Sequence, residues 1–251
     1  MINSKYISAS IFFVLLITSW QILPLFFYIP SYVLPTPIQI ARETIHNFKL
    51  YQMHFKITAM ESVIGLLIAF FMSAIISILF ILWKPLRLGL FPFAIALQSI
   101  PVVAIAPIII IWAKNIILSI IIISALVCFF PALVTLIKGL ESIPTESFDV
   151  FYSFSASKAD ILFKLRIPYS IPYAFSALKV SCSLSVIGAI VGEFAGGEKG
   201  LGRFLLTSYY HVDTVRMFSA IIFSSFLAVL MFAIVSFMER IVLNKMNFRY
   251  Q

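Results

Sequence analysis

Six stretches of this chain stay apolar for about the length of a bilayer crossing: 8–28, 58–82, 90–112, 116–138, 172–194 and 217–239. A helix needs roughly 20 apolar residues to span the hydrocarbon core. The sequence therefore predicts an all-α membrane protein of about six transmembrane helices. Composition agrees, because the 251 residues are 62% hydrophobic and only 11% charged, whereas a soluble domain is nearer half apolar and a quarter charged. The formal charge of +8 fits basic flanks beside membrane spans and gives no reason to expect a nucleic-acid partner. Cys128 and Cys182 both fall inside apolar runs, as packed thiols do, rather than in a disulfide framework. Lys5 precedes an apolar run from Ile7 to about Ile29. That run exceeds a signal peptide's apolar region of about 7–15 residues and is followed by no small-x-small cleavage site, so a retained first span is expected.

The third run carries Pro92, Pro101 and Pro107. Each removes a backbone donor and kinks a helix, which lipid tolerates where neighbouring helices or a water-lined path satisfy the freed carbonyls. A kinked packing helix and a pathway-lining one both remain open. The basic residues set the orientation. With both termini cytoplasmic, the inner side holds Lys5, Lys84, Arg87, Lys138, Lys158, Lys164, Arg166, Arg240, Lys245 and Arg249. The outer side then holds Arg42, Lys49, Lys56, Lys114, Lys199, Arg203 and Arg216. The bias is modest, and the opposite orientation is compatible with it. Between the first two spans, two prolines bracket Thr36 and an amphipathic run follows through Ile38, Ile40, Ala41 and Ile45. Such a segment lies at the interface, caps the bundle or serves as a structured linker. There is no internal repeat, and one membrane domain, 1–251 with a core of about 54–240, accounts for the chain.

Catalytic chemistry finds no foothold. Gly197, Gly202 and Arg203 have the spacing of a phosphate-binding loop, but the motif requires a Lys on the phosphates and a hydroxyl on magnesium. Here Arg203 and Phe204 stand at those positions, in a short loop between spans. A glycine-rich turn permitting close backbone approach is the expectation. His46, His54 and His211 lack ligand spacing and no serine sits in a nucleophile elbow, so no metal, cofactor or enzymatic activity is expected. Ionisable groups at membrane depth are Glu61, Lys179 and Glu193; such groups face the bundle interior or water. Glu61 and Lys179 are expected to snorkel or to form an internal ion pair. Glu193, between Gly192 and Gly196, is the better candidate for a gate, with Pro101, Pro107, Gly200 and Gly202 as further pathway or gate residues.

One stretch, 139–172, interrupts the apolar runs with charges of both signs, yet carries Phe148, Phe151, Phe154 and Phe163. Pro144 suits the first turn of a helix, predicting a short helix over 145–154. Ser157 with Asp160 resembles a capping box and predicts a second helix over 158–166, ended by Pro168 and Pro172. Two short helices at an angle would present apolar knobs to a groove on a soluble partner, or would pack on the ends of the chain's own spans.

These residues resemble the cytoplasmic coupling loop of binding-protein-dependent ABC transporter permeases, E-A-A-x3-G-x9-I-x-L-P. Asp149, Val150 and Phe151 stand at the E-A-A positions, Ser155 at the glycine, and Leu165, Ile167 and Pro168 at the end of the pattern, flanked by Ala156 and Ser157. The likeness is nearest to the nitrate/sulfonate/taurine group, which includes carriers of thiamine-precursor pyrimidines. Leu34-Pro35-Thr36-Pro37, the run from Ile100 to Pro107, Phe129-Phe130-Pro131, Glu193-Phe194 and Gly200-Leu201-Gly202 are similar to its motifs in order. Ala113-Lys114-Asn115 departs where the group has a glycine-containing sequence.

The resemblance implies a permease subunit in a bacterial inner membrane, working as a homodimer. It implies two partners, an ATP-binding subunit that hydrolyses ATP and a soluble substrate-binding protein. Phe148, Asp149, Phe151, Phe154, Ser155, Ala156, Phe163 and Pro168 would form the ATPase-coupling loop. A small anion of the sulfonate, nitrate or taurine kind, or a pyrimidine-type precursor, would be the solute. A stand-alone secondary transporter or channel is the alternative, and it would be expected to show repeated halves and mid-membrane carboxylates.

Overall fold

The computed structural model describes residues 2–246, all helices and connecting turns. In order these are α1 (Ile2–Phe26), α2 (Pro37–His46), α3 (Phe48–Leu82), α4 (Lys84–Gln98), α5 (Val102–Ala113), α6 (Ile116–Glu141), α7 (Thr145–Ser153), α8 (Lys158–Asp160), a π-helical turn (Ile161–Arg166), α9 (Ile167–Gly196), α10 (Leu201–Tyr210) and α11 (Thr214–Lys245). Four helices are long and apolar enough to cross a membrane: Phe48–Leu82, Ile116–Glu141, Lys158–Gly196 and Thr214–Lys245. Ser10–Phe26 and Val102–Ala113 are shorter apolar helices. Arg249, counted above among the inner basic residues, and the side chain of Lys5 lie outside what is described.

Helices α3, α6 and α9 form the centre, with α11 on α9. Their contacts are made by small residues, since lipid tails give apolar side chains no reason to prefer another helix. A Cβ on Gly188 of α9 would sit 2.7 Å from the Ser124 Cα of α6, so only glycine allows this approach. Hydroxyls bridge the same seams: Ser124 donates to the Ser185 carbonyl at 2.9 Å and Ser73 to the Phe129 carbonyl at 2.8 Å. Leu66, Cys182, Val186, Leu227, Met231 and Val235 pack where α3, α9 and α11 meet. Both cysteines are free and buried. Large apolar residues on the outer faces of α1 and α11, Phe12 and Phe237 among them, are exposed, as a lipid-facing surface requires.

The third apolar run is not one continuous span. It breaks at 99–101, and Pro101 becomes the N-cap of α5 with extended backbone (φ −61°, ψ 119°). Pro92 and Pro107 stay inside α4 and α5. Nor do Pro168 and Pro172 end the second short helix, because the chain runs as one helix from Lys158 to Gly196. Just before Pro168 the helix widens into the π turn, with the Ile167 N–H reaching back five residues to the Leu162 carbonyl. That wider turn makes room for a ring that would otherwise crowd the preceding turn.

The segment between the first two spans is a helix capping the bundle. Thr36 and Gln39 form a capping box at its start, Ile40 is buried, and Thr44 reaches Ser219 of α11 at 3.2 Å. Lys179 forms the expected internal ion pair, with Glu239 of α11 at 2.8 Å.

Candidate functional site

Two clusters stand at opposite ends of the Lys158–Gly196 helix. At the Gly196 end, α9 turns back through 197–200 into α10, and Glu193 holds this hairpin together. Its Oε1 accepts from the Thr58 hydroxyl at 2.6 Å and its Oε2 from the Gly202 N–H at 2.5 Å. Thr58 Oγ1 accepts in turn from the Leu201 N–H at 2.8 Å, and His54 Nδ1 from the Gly200 N–H at 3.0 Å. Every one of these donors belongs to the start of α10 or faces it, where free N–H groups favour an anion. Gly200 has φ +106°, and a Cβ there would run into the Glu193 carboxylate. The decoy glycine loop is thus a tight turn over a carboxylate.

Glu61, one turn from Thr58 on the same face of α3, is buried rather than snorkelling, and no ion pair is formed by it among the described residues. It is 1% exposed, and its Oε2 is buried without a hydrogen-bond partner. Sequence reasoning also passed over His54 and Thr58, whose partners in the hairpin lie 135 to 146 residues away. A signal was available: His54, Thr58 and Glu61 are spaced i, i+4, i+7, one face of a helix.

Pro101 lies apart, lining a recess at the α4–α5 break with Gln98, Ser99, Phe130, Pro131 and Leu184. Pro107 is exposed on α5 and lies outside that lining.

The 139–172 stretch occupies the other end. α7 runs over Thr145–Ser153, with Pro144 at its N-cap, one residue earlier than expected. Ser157 and Asp160 form the capping box, with the Asp160 N–H donating to Ser157 Oγ at 3.1 Å, and Lys164 donates to Asp160 at 2.5 Å. Between the two helices Ser155 sits at φ +52°, a left-handed conformation costly for a residue with a Cβ. This is the position where the coupling-loop pattern has glycine.

The aromatics divide. Phe148 is half-buried, its ring 4.9 Å under the Arg166 guanidinium. Arg166 also donates to the Leu140 carbonyl at 2.6 Å, so one cation ties α7, the π turn and the end of α6 together. Phe151 and Ala156 are likewise half-buried, as is Pro168 within the continuous helix. Phe154 is 81% exposed and Phe163 66%, with Val150, Tyr152 and Asp149 exposed beside them. Of the four phenylalanines on this stretch, Phe154 and Phe163 are the exposed ones, while Phe148 and Phe151 are half-buried.

A bundle of membrane-length helices, sealed by an internal polar network at one end and presenting bare aromatics on a braced loop at the other, defines a polytopic membrane protein built to work with another molecule. Residues 82–247 match the family model described as the binding-protein-dependent transport system inner membrane component, and the chain belongs to this family. It is a permease subunit of the ABC importer type. It is 32% identical over 235 residues to the formylaminopyrimidine transport permease protein ThiX of Halalkalibacterium halodurans, covering 93% of this chain and 94% of that one. A probable ABC transporter permease protein of Haemophilus influenzae is 30% identical over 82% of this chain and 84% of its own. The putative aliphatic sulfonates transport permease protein SsuC of Bacillus subtilis is 25% identical over 92% and 85%.

Proposed function

We propose that this chain is a single-domain permease, 1–251 with a core of about 54–240, that imports a small solute by coupling its two ends. The loop around α7 docks on a separate ATP-binding subunit, which carries out the hydrolysis. The hairpin of Glu193, Gly200 and Gly202 closes the outer end, where a soluble binding protein delivers the solute. Two copies form the pathway, Pro101 and Pro107 mark its broken helix, and both termini are cytoplasmic. The solute belongs with those named for the relatives, a pyrimidine-type precursor or a sulfonate-like anion.

The observation that carries this reading is Phe154, a large aromatic left bare on a loop that Arg166 and Phe148 hold rigid. An exposed anchor on a rigid support is what a partner's pocket needs. The test is Phe154→Asp. Losing a hot-spot aromatic costs about 2 kcal/mol or more, which is roughly thirtyfold in affinity, so association with the ATPase and ATP-driven uptake should both collapse. Wild-type association in that variant would refute the docking role. Uptake that survives ATP depletion but falls with the proton gradient would point to a secondary transporter instead.

A further inference from the structure

We propose that α2 is an interfacial helix that binds the phosphate of an anionic phospholipid, in the leaflet at the hairpin end of the bundle, with Arg42 as the principal contact. At about 3.6 residues per turn, the residues of α2 divide into three faces rather than two. The first meets α11: Ile40 is buried, with Thr44 on Ser219 and Glu43 on Arg216 beside it. The second is apolar and exposed, made of Ile38, Ala41 and Ile45, the last 77% exposed. The third is polar and exposed, made of Gln39, Arg42 and His46. A cap facing only water would need the first and third faces. A helix lying in a membrane surface also uses the second, which enters the acyl boundary while its basic residues stay among the headgroups.

Contacts with α1 set the depth. The Ile38 N–H donates to Gln21 Oε1 at 3.2 Å, and the Trp20 indole N–H to the Pro35 carbonyl at 3.1 Å. Gln21 lies five residues before the end of α1 at Phe26, roughly 7.5 Å along the helix. Over those residues α1 exposes Ile22, Leu23, Leu25 and Phe26, its lipid-facing surface. The apolar ridge of α2 therefore begins beside a surface already in lipid. It does so at the level of a tryptophan, a residue suited to the boundary between acyl chains and headgroups. A docking face for a soluble protein would stand clear of that level.

Charge selects the headgroup. Arg42 stands between two grooves, one lined by Ile38, Ala41 and Ile45 and the other by Gln39, Glu43 and Asp213. Both carboxylates of the polar groove are held by Arg216, Glu43 at 3.0 Å and Asp213 at 3.3 Å. Glu43 also accepts from the Asn47 amide at 2.8 Å. Among the described residues, Arg42 has no ion pair or hydrogen bond, and neither has Lys49, exposed just beyond α2. A free guanidinium beside an apolar ridge can take a phosphate bidentately while the ridge lies against the chains of the same lipid. A phosphatidylcholine phosphate carries its own cation and gains less from this contact.

Fluorescence quenching of the full-length permease in nanodiscs tests this, with a bimane label on Ile45→Cys. Cys128 and Cys182 are buried and should stay unlabelled. The nanodiscs contain phosphatidylcholine and phosphatidylglycerol, each supplied in turn with brominated chains that quench on contact. Both lipids should quench, and phosphatidylglycerol should associate about fivefold more strongly, the gain expected of one basic residue near an anionic headgroup. Arg42→Gln in the labelled chain should remove that preference and leave quenching by phosphatidylcholine in place. Quenching by neither lipid would overturn the proposal and leave the face to a soluble partner. Equal quenching by the two would overturn the anionic site, and a preference that survives Arg42→Gln would overturn the assignment to Arg42. Should Ile45→Cys not fold, Ile38→Cys carries the label on the same ridge, with the same outcomes.

Discussion

The two ends of the molecule spend their polar and apolar groups in opposite ways. At the hairpin, Glu193, Thr58, His54 and Gly200–Gly202 hydrogen-bond to one another. At the loop, Arg166 and the capping box fix the backbone, but Phe154, Phe163, Val150 and Tyr152 are left bare. Rigidity is common to both ends, and completeness belongs to one. An end that is finished internally is suited to opening and reclosing on itself, whereas an end that is rigid but unfinished is suited to being gripped.

Stability measurements can break or sharpen this contrast. The largest loss is expected for Glu193→Ala, which strips the acceptor from Thr58 and Gly202 together. Removing one member of a buried charged network costs about 3–5 kcal/mol, read as a lower thermal midpoint in detergent. Gly200→Ala should follow at about 2 kcal/mol, the cost of a side chain in a strained backbone region, added to its clash with Glu193. Ser155→Gly at the loop has the opposite sign. Relieving the left-handed serine should stabilise by about 1 kcal/mol, seen as slower proteolysis between α7 and α8. Phe154→Asp should fall within about 0.5 kcal/mol of wild type while losing its partner. Equal destabilisation by Phe154→Asp and Glu193→Ala would erase the distinction between the ends.

What was legible in the sequence follows the range of the forces involved. The second, fourth, fifth and sixth expected spans, the Ser157–Asp160 capping box and the short α7 depend on neighbours within a few residues, and they emerged where expected. The glycine position of the coupling pattern was legible too, and its left-handed backbone explains why glycine suits it. Prolines were harder. Pro101 broke a helix expected to be continuous, while Pro168 did not end one, because a π turn absorbed it. That outcome depends on packing of Ile161 and Leu162, both buried. Glu61 was out of reach for a further reason. Its burial depends on packing against other helices, and a carboxylate in an apolar run cannot be told from a snorkelling one until those helices are set side by side. Lys179 shared that ambiguity and resolved to an ion pair. Which of the four phenylalanines would be free stayed open because spacing shows which side chains share a face, not that Arg166 will cover Phe148.

The π turn has one more consequence. By keeping Lys158–Gly196 unbroken it makes a single rod of 39 residues, roughly 58 Å long at helical rise. Phe163 sits near one tip and Glu193 near the other. A tilt of about 5° around the middle of such a rod carries each tip by roughly 2.5 Å in opposite directions. That is about the difference between a hydrogen bond made and one broken. A lever of this length needs no hinge along it: a small push at the aromatic tip arrives at the carboxylate tip undiminished.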